Sequence, residues 1–333
     1  MSIYPELRAP PVGTARRAVR PPSRLLPILT LCLLVTSCRQ HESQTDIRIF
    51  HAAGMTPFLE QLAPRTQHDG LHLLTESSGS QMAIRKVTEL GRACDVLILA
   101  DPLLIRELCA DHCEGRLDFA TDSMVLGVGA RAPRVPEAET NWMSVVRDPA
   151  VRLARANETL GPIGYRTLLT LQLAGQIQEN PDLLSNFVKH CELVVDDVER
   201  LPPLLTSGEA DYAFLYRSTA MAHGVRFIPL DPRINLGSIN ADYRQASLTF
   251  QALKAGTPRD VTVTGAPIVW TLTVPRPADA HAAATFIRWW TRHLPELLES
   301  GGLTPILPPR YSGPATWAAR YCPDAVYSGS PAP

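Results

Sequence analysis

Several short segments of this chain place glycine and hydroxyl residues where a helix is predicted to begin. In ESSGSQMAIRKVTEL, Ser78, Gly79 and Ser80 precede apolar residues at helical spacing, and serine is a favourable N-cap residue. The first N–H groups of such a helix have no partner within it, and they lie at the positive end of its dipole. This arrangement could hold an anion with N–H and hydroxyl donors.

Three other segments have the same layout. They are Gly54 after the first predicted strand, Gly161–Gly164 before a long helix pattern, and Tyr216–Ser218 after a buried strand. Helix capping alone would explain any one of them. Because ligands of open α/β sheets bind beyond the carboxyl ends of the strands, the four segments together predict one shared anion site.

The elements that must position these segments alternate between strands and helices. The run DIRIFHAAG and the apolar run CDVLILAD each precede a helix pattern, which predicts a parallel sheet covered by helices. Further strands are predicted at 123–130, 151–156, 210–218 and 266–275, and long helices at 161–178 and 277–300.

The bulk composition is that of a globular protein, and it argues against several classes of function. The chain has 333 residues, 45% of them hydrophobic, with a formal net charge of -1, so no nucleic-acid-binding surface is indicated. No dinucleotide or phosphate-loop fingerprint occurs, and no nucleophile, base and orienting residue occur as a set. We therefore expect neither an enzyme nor a bound cofactor.

The N-terminus has the layout of a secretory signal. Four arginines between residues 16 and 24 precede the apolar run LLPILTLCLLV, which leads into VTSC at Val35–Cys38. This run is shorter than the roughly 20 residues of a membrane-spanning helix. VTSC resembles a bacterial lipobox, so we expect export and a lipid anchor on Cys38. The alternatives are a signal that is cleaved without lipidation and an uncleaved anchor.

Five cysteines remain if Cys32 is removed with the signal and Cys38 is acylated: Cys94, Cys109, Cys113, Cys191 and Cys322. In an exported protein they face an oxidising compartment, where disulfides are permitted. The spacing of Cys109 and Cys113 around His112 leaves a metal site, a disulfide and plain thiols open, and a zinc site would need a ligand from elsewhere.

The order of several motifs resembles one family. FHAAGMTPFLEQLA, ESSGSQMAIRKVTELG, GYRTLLTLQLA, SGEADYAFLYRS and TGAPIVWTLTVP occur in the order seen in the molybdate/tungstate-binding proteins of ABC transporters, especially the archaeal-type tungstate-binding branch. The resemblance runs from about Asp46 to Tyr321. It implies an α/β, type II periplasmic-binding-protein fold with two lobes, each a mixed sheet flanked by helices, joined by hinge strands. The implied function is capture of a tetrahedral oxyanion by a monomer that delivers it to an ABC permease.

The same resemblance implies a division of the chain. Lobe 1 would comprise 46–124 with 268–322, and lobe 2 would comprise 128–258. A signal at 1–38 and a tether at 39–45 would precede them, and a disordered tail at 323–333 would follow.

Ligand-binding residues follow from the resemblance one position at a time. They are Gly54, Ser80, Gly164, Tyr165, Tyr216 and Ser218, with Ser78, Glu158 and Arg200 as further candidates. Gly54 replaces a serine of the family, and Leu160 and Gly161 replace an acidic pair that adds carboxylate oxygens around the metal. This departure leaves open that Glu158 or Glu199 substitutes, that a plain tetrahedral dianion binds to N–H and hydroxyl donors, or that the ligand differs. A sulfate, phosphonate or organic-acid receptor and a non-transport sensory lipoprotein are the alternative functions.

Overall fold

A computed structural model describes residues 44–254, 257–299 and 301–329. The predicted signal with Cys38 and residues 39–43 of the tether lie outside the described residues. The strands are β1 Thr45–Ala52, β2 Leu71–Ser78, β3 Val96–Leu99, β4 Cys113–Asp122, β5 Met124–Val128, β6 Leu153–Ala156, β7 Leu193–Val195, β8 Tyr212–Tyr216, β9 Phe227–Pro229, β10 Ser247–Lys254, β11 Thr257–Thr264, β12 Ile268–Pro275, β13 Thr304–Ser312 and β14 Val326–Tyr327. The helices are α1 Thr56–His68, α2 Ser80–Thr88, α3 Pro102–Leu108, α4 Val135–Val146, α5 Pro162–Ile177, α6 Leu183–His190, α7 Leu201–Ser207, α8 Arg217–Ala222, α9 Ala280–Glu299 and α10 Ala315–Tyr321.

The first lobe is built on a seven-stranded mixed sheet in the order β14-β13-β4-β12-β3-β1-β2. Strand β1 is parallel to β2 and β3, whereas β12 is antiparallel to β3 and β4. Helices α1, α2, α3, α9 and α10 pack on this sheet. The last residues of β1 and β2, Ala52 and Ser78, lie opposite each other. Gly54 and Ser80 therefore follow neighbouring strands at the same edge of the sheet.

The second lobe is built on a five-stranded mixed sheet in the order β7-β6-β8-β5-β9. Strand β6 is parallel to β7 and β8, and β5 is antiparallel to β8 and β9. Helices α4 to α8 belong to this lobe, and the hairpin of β10 and β11 packs on α5. Strand β6 leads to the start of α5, and β8 leads to the start of α8.

The chain passes between the two lobes twice. It leaves the first sheet at Asp122 and enters the second at Met124, and it returns through Gly265–Pro267 into β12 at Ile268. The first lobe is thus interrupted by the second and then resumed. This architecture is the two-lobed type II fold, and the predicted fold class is confirmed.

The C-terminal segment differs from the sequence-based expectation. Residues 323–333 were expected to be disordered, but Val326 and Tyr327 form β14, which pairs in parallel with β13. The rings of Tyr311 and Tyr327 also contact each other, with centroids 5.4 Å apart. The expectation is wrong for these residues because their backbone N–H and C=O groups complete the edge of the sheet. Residues 330–333 lie outside the described part. Among the described residues, no helix is both long enough and apolar enough to cross a membrane.

Candidate functional site

A cavity of about 50 Å³ lies where helices of both lobes begin. One water molecule needs about 10–15 Å³ on this scale, so the cavity suits a ligand of a few heavy atoms. The lining residues from the first lobe are Ala52, Ala53, Gly54, Pro57, Gly79, Ser80, Ala100 and Trp270. Those from the second lobe are Gly161, Pro162, Ile163, Val198, Glu199, Tyr216, Thr219 and His223.

The lobes contact each other around this cavity. The Ser77 hydroxyl donates to the Glu199 carboxylate at 2.7 Å, and the Thr56 hydroxyl donates to the same oxygen at 3.3 Å. A Cβ at Gly79 would lie 3.1 Å from the carbonyl oxygen of Leu160 in the opposite lobe. The structure is therefore a closed form, in which a ligand is surrounded from both sides.

Ser80 supplies a buried hydroxyl without a partner. The N-cap of α2 is Gly79, in extended conformation, and the helix begins when the Ala83 N–H donates to the Gly79 carbonyl at 2.9 Å. Ser80 is thus the first helical residue, not the N-cap residue that the sequence suggested, and its hydroxyl is not used in capping. Ser80 is 1% exposed, and its Oγ has no hydrogen-bond partner. Since an unpaired buried hydroxyl is unfavourable, a ligand at this position would compensate it.

Two further helix starts lie at the cavity. Pro57 occupies the first turn of α1, after the 3-10 turn Ala53–Met55 that contains Gly54, and Pro162 begins α5 after its N-cap Gly161. Because the first N–H groups of a helix have no partner within it, helix starts at a cavity are suited to donate to a ligand there. A Cβ at Gly54 would lie 3.2 Å from the ring of Trp270. A serine here would therefore require the indole to shift by a few tenths of an ångström.

A buried ion pair joins the lobes directly behind the cavity. Arg166 of α5 donates to the Ala100 carbonyl at 2.7 Å and to the Tyr216 hydroxyl at 2.7 Å, and it pairs with Asp101 at 3.1 Å. The Tyr165 hydroxyl donates to the same Asp101 carboxylate at 2.5 Å. Arg166 is 3% exposed, so its charge is withdrawn from water. Ala100 and Asp101 belong to the first lobe and the other three to the second, so we call this group the interlobe network.

Burial also sets the protonation of Tyr216. Burial raises the pKa of its phenol to about 12, while the Arg166 charge opposes this shift. The hydroxyl therefore stays protonated at neutral pH. The phenol oxygen accepts a hydrogen bond from Arg166. Tyr216 therefore separates the guanidinium of Arg166 from the cavity.

Trp270, which packs edge-on against Tyr216 with ring centroids 6.3 Å apart, is held by the buried carboxylate of Asp122. This carboxylate accepts hydrogen bonds from the Ser218 hydroxyl at 2.5 Å, the Ser123 N–H at 2.7 Å and the Trp270 indole N–H at 3.4 Å. Burial raises the pKa of Asp122, although these donors oppose the shift. Ser218 therefore helps to hold Asp122, which in turn holds the Trp270 indole in the cavity wall.

Three of the six principal candidates, Gly54, Ser80 and Tyr216, line the cavity, and the other three do not. Ser218 is occupied by Asp122, and Tyr165 is occupied by Asp101 and stacks on Phe250. Gly164 lies in the first turn of α5, where a Cβ would be 2.4 Å from the Asn157 carbonyl oxygen. Its role in this structure is close packing of the helix.

The further candidates also have other partners or positions. The Ser78 hydroxyl accepts from Lys86 at 2.9 Å, and Glu158 forms an ion pair with Arg155. Arg200 is exposed and is not among the cavity residues. Glu199 does line the cavity, and among the lining residues it is the one with a carboxylate.

Several lining residues were not predicted. Thr219 lies on α8 next to the predicted Ser218, His223 is the C-cap residue of that helix, and Trp270 lies on the strand that returns from the second lobe. The hydroxyl of Thr219 was a local signal, because it follows Ser218 directly. The described residues contain no group of three or more His, Cys, Asp or Glu side chains suited to hold a metal ion. The lining thus combines helix starts, the hydroxyls of Ser80, Tyr216 and Thr219, the Trp270 ring, the His223 imidazole and the Glu199 carboxylate.

Relatives of this chain are solute-binding proteins. The chain is 30% identical to an uncharacterized solute-binding protein of Petrotoga mobilis over 73% of this chain and 78% of the relative. It is also 30% identical to an uncharacterized solute-binding protein of Methanoculleus marisnigri, over 80% and 83% of the two chains.

Solved structures show the same fold at low identity. The periplasmic molybdate-binding protein of Azotobacter vinelandii matches with a TM-score of 0.55 at 17% identity, over 78% of this chain and 98% of that one. Peb3 of Campylobacter jejuni matches with a TM-score of 0.51 at 10% identity, over 78% and 99%. Residues 47–290 match the family model of bacterial extracellular solute-binding proteins. The chain belongs to this family, the bacterial extracellular solute-binding proteins.

Proposed function

We propose that this protein captures a small tetrahedral oxyanion, of the molybdate or tungstate class, between its lobes. The observation that carries the proposal is the Ser80 hydroxyl, which is buried, has no partner and lines the cavity at the start of α2. An anion at this position would accept from the hydroxyl and from the first N–H groups of the helix.

The size of the cavity favours a compact ligand. Its volume of about 50 Å³ corresponds to a few water-sized volumes, which suits a central atom with four oxygens better than a sugar acid. The structural neighbour from Azotobacter is described as a molybdate-binding protein, which agrees with this ligand class. We take Gly54, Ser80 and Tyr216 as the direct contacts among the residues expected from the sequence.

The charges around the cavity favour an anion held mainly by neutral donors. Arg166 lies behind Tyr216 and Ala100, and its charge is balanced by Asp101, so the donors that line the cavity are neutral. The Glu199 carboxylate opposes the anion, but the hydroxyls of Ser77 and Thr56 stabilise its charge. Leu160 and Gly161 cannot add carboxylate oxygens to a metal. A plain tetrahedral site is therefore the form of the proposal that these residues support.

A different anion in the same cavity is the second candidate. The absence of the acidic pair removes a feature that would distinguish a metal oxyanion from sulfate or phosphate. Another structural neighbour, PEB3 with L-phospholactate bound, has a TM-score of 0.54 at 10% identity, so the fold itself accommodates an organic phosphate. Competition between molybdate and these anions for the same site separates the two candidates.

Replacing Ser80 with alanine should weaken binding of molybdate or tungstate about 5- to 30-fold. The reason is the loss of one buried donor to a charged ligand, worth about 1–2 kcal/mol. Isothermal titration of the purified protein measures the change. Ser78→Ala is the matched control, because the Ser78 hydroxyl is engaged by Lys86. Unchanged affinity in Ser80→Ala would remove this hydroxyl from the site.

We further propose that the protein is a lipid-anchored monomer that delivers its ligand to an ABC permease. Residues 46–124 with 268–322 would move as one lobe and 128–258 as the other. The VTSC sequence ending at Cys38 supports the anchor. In a bacterial host given a labelled fatty acid, the full-length protein should take up the label and the Cys38→Ser variant should not. Equal labelling of both would contradict the anchor.

A further inference from the structure

Cys109 and Cys113 form a buried thiol pair in the first lobe. Their sulfur atoms lie 2.7 Å apart, and the two residues are 0% and 2% exposed. Helix α3 ends at Leu108, and β4 begins at Cys113. The connecting turn is closed by the His112 N–H, which donates to the Cys109 carbonyl at 2.9 Å. The fold itself therefore brings the two side chains together.

The surroundings of the pair argue against a metal site and against a reactive thiolate. Within the described residues, no third His, Cys, Asp or Glu completes a metal-binding group here. Both sulfurs lie in an apolar cluster with Phe50, Ile84 and Leu104 among its members. The neighbouring Cys113 and burial raise the pKa of Cys109, so a thiolate is disfavoured in the folded protein.

We propose that Cys109 and Cys113 form a disulfide in the exported protein. One S–S bond forms in this chain, two thiol protons and two electrons leave, and the S–S bond of an incoming disulfide oxidant is reduced to two thiols. Members of an extracellular family fold in a compartment where such oxidants are present. Because both sulfurs are buried in the folded state, the exchange takes place while the chain folds.

Cys94 belongs to the same apolar cluster and is the competing thiol. Its S–H donates to the Val96 carbonyl at 3.2 Å, so it is engaged within its own segment. The pairing of Cys109 with Cys113 therefore leaves Cys94 reduced. The bond fastens the end of α3 to β4, and the other end of α3 is capped by Asp101 of the interlobe network.

The test is a peptide map of the exported full-length protein, unfolded in iodoacetamide without reductant. Trypsin cuts after Arg92, Arg106 and Arg116, so Cys109 and Cys113 fall on one peptide and Cys94 on the preceding one. The expected result is an unlabelled 107–116 peptide, lighter than its dithiol form by two hydrogen atoms, and a labelled Cys94. Labelling of both Cys109 and Cys113, or a disulfide between Cys94 and either of them, would overturn the proposal.

A stability measurement tests the effect of the bond. Reduction should lower the thermal midpoint of the wild-type protein, because it removes the disulfide. The decrease should be only about 5 °C, because the loop that the disulfide closes is short. The Cys94→Ala variant should show the same dependence on reductant, and the Cys109→Ala/Cys113→Ala variant should show none. An equal midpoint for oxidised and reduced wild-type protein would overturn the stabilising role.

Discussion

Replacing Arg166 with methionine should weaken anion binding about a hundredfold or more. Arg166 joins α5 of the second lobe to Ala100 and Asp101 of the first, and it is 3% exposed. Removing one partner of a buried ion pair costs about 3–5 kcal/mol, because the remaining charge is left uncompensated. In this protein the remaining charge is Asp101, which lies between the lobes. The cost therefore falls on the closed form, and ligand affinity depends on that form.

The matched control for Arg166 is Arg116→Met. Arg116 pairs with Asp118 at 3.3 Å, both side chains are similarly buried, and both residues lie on β4 of the first lobe. Breaking this pair should lower the thermal midpoint of the ligand-free protein without a comparable loss of affinity. Titration calorimetry of the two variants compares them directly. Wild-type affinity in Arg166→Met would show that the interlobe network does not support closure.

Replacing Gly164 with alanine should lower the thermal midpoint by about 5 °C and weaken ligand binding as well. A Cβ at this position would lie 2.4 Å from the Asn157 carbonyl oxygen and 2.6 Å from the Glu158 nitrogen. Both neighbours are backbone atoms, so the first turn of α5 must move. Overpacking of this kind costs about 1–3 kcal/mol, or a few degrees per kcal/mol for a chain of this size. The same turn carries Pro162 and Ile163 of the cavity wall.

Gly161→Ala provides the control on the same helix start. Its backbone is extended, with φ near −170°, and a Cβ there would meet no atom within 4 Å. This variant should unfold at the wild-type temperature in differential scanning calorimetry. If Gly164→Ala were equally stable, the close approach of α5 to Asn157 would not be a constraint on the fold.

Much of the fold can be predicted from local patterns. Buried parallel strands are apolar along their whole length, so the run that contains β3 at Val96–Leu99 is recognisable without an alignment. The glycine and proline residues at Gly161 and Pro162 likewise mark the start of α5. Helix starts after strands identify one edge of each sheet, and this was sufficient to place Gly54, Ser80 and Tyr216 at one cavity.

Strands β4 and β13 are difficult to recognise in the sequence, and the reasons are physical. Strand β4 has Arg116 at a buried position and Asp118 at a largely buried one, where they pair with each other, and charged residues at such positions do not indicate a strand that is covered on both faces. Strand β13 contains Pro305, Pro308 and Pro309, which normally argue against a strand. Its pairing with β4 is irregular between Pro305 and Arg310, which accommodates the prolines.

Which of two neighbouring hydroxyl side chains faces the cavity also depends on residues that are distant in sequence. Ser218 and Thr219 follow each other on α8, and one residue of a helix turns the side chain by about a quarter of a circle. Ser218 contacts Asp122, which is distant in sequence, while Thr219 lines the cavity. No local pattern distinguishes these two positions. The same limit applies to Tyr165, whose hydroxyl is taken by Asp101 of the other lobe.

The most direct test of the account is the thermal unfolding of the exported protein in the presence of molybdate, tungstate, sulfate, phosphate and small organic acids. A ligand at a thousand times its dissociation constant adds about 4 kcal/mol, which should raise the midpoint by about 10 °C. The proposed function predicts this shift with molybdate and tungstate, and a smaller shift in Ser80→Ala at the same concentration. No shift with any tetrahedral oxyanion, or a shift with organic acids alone, would contradict it.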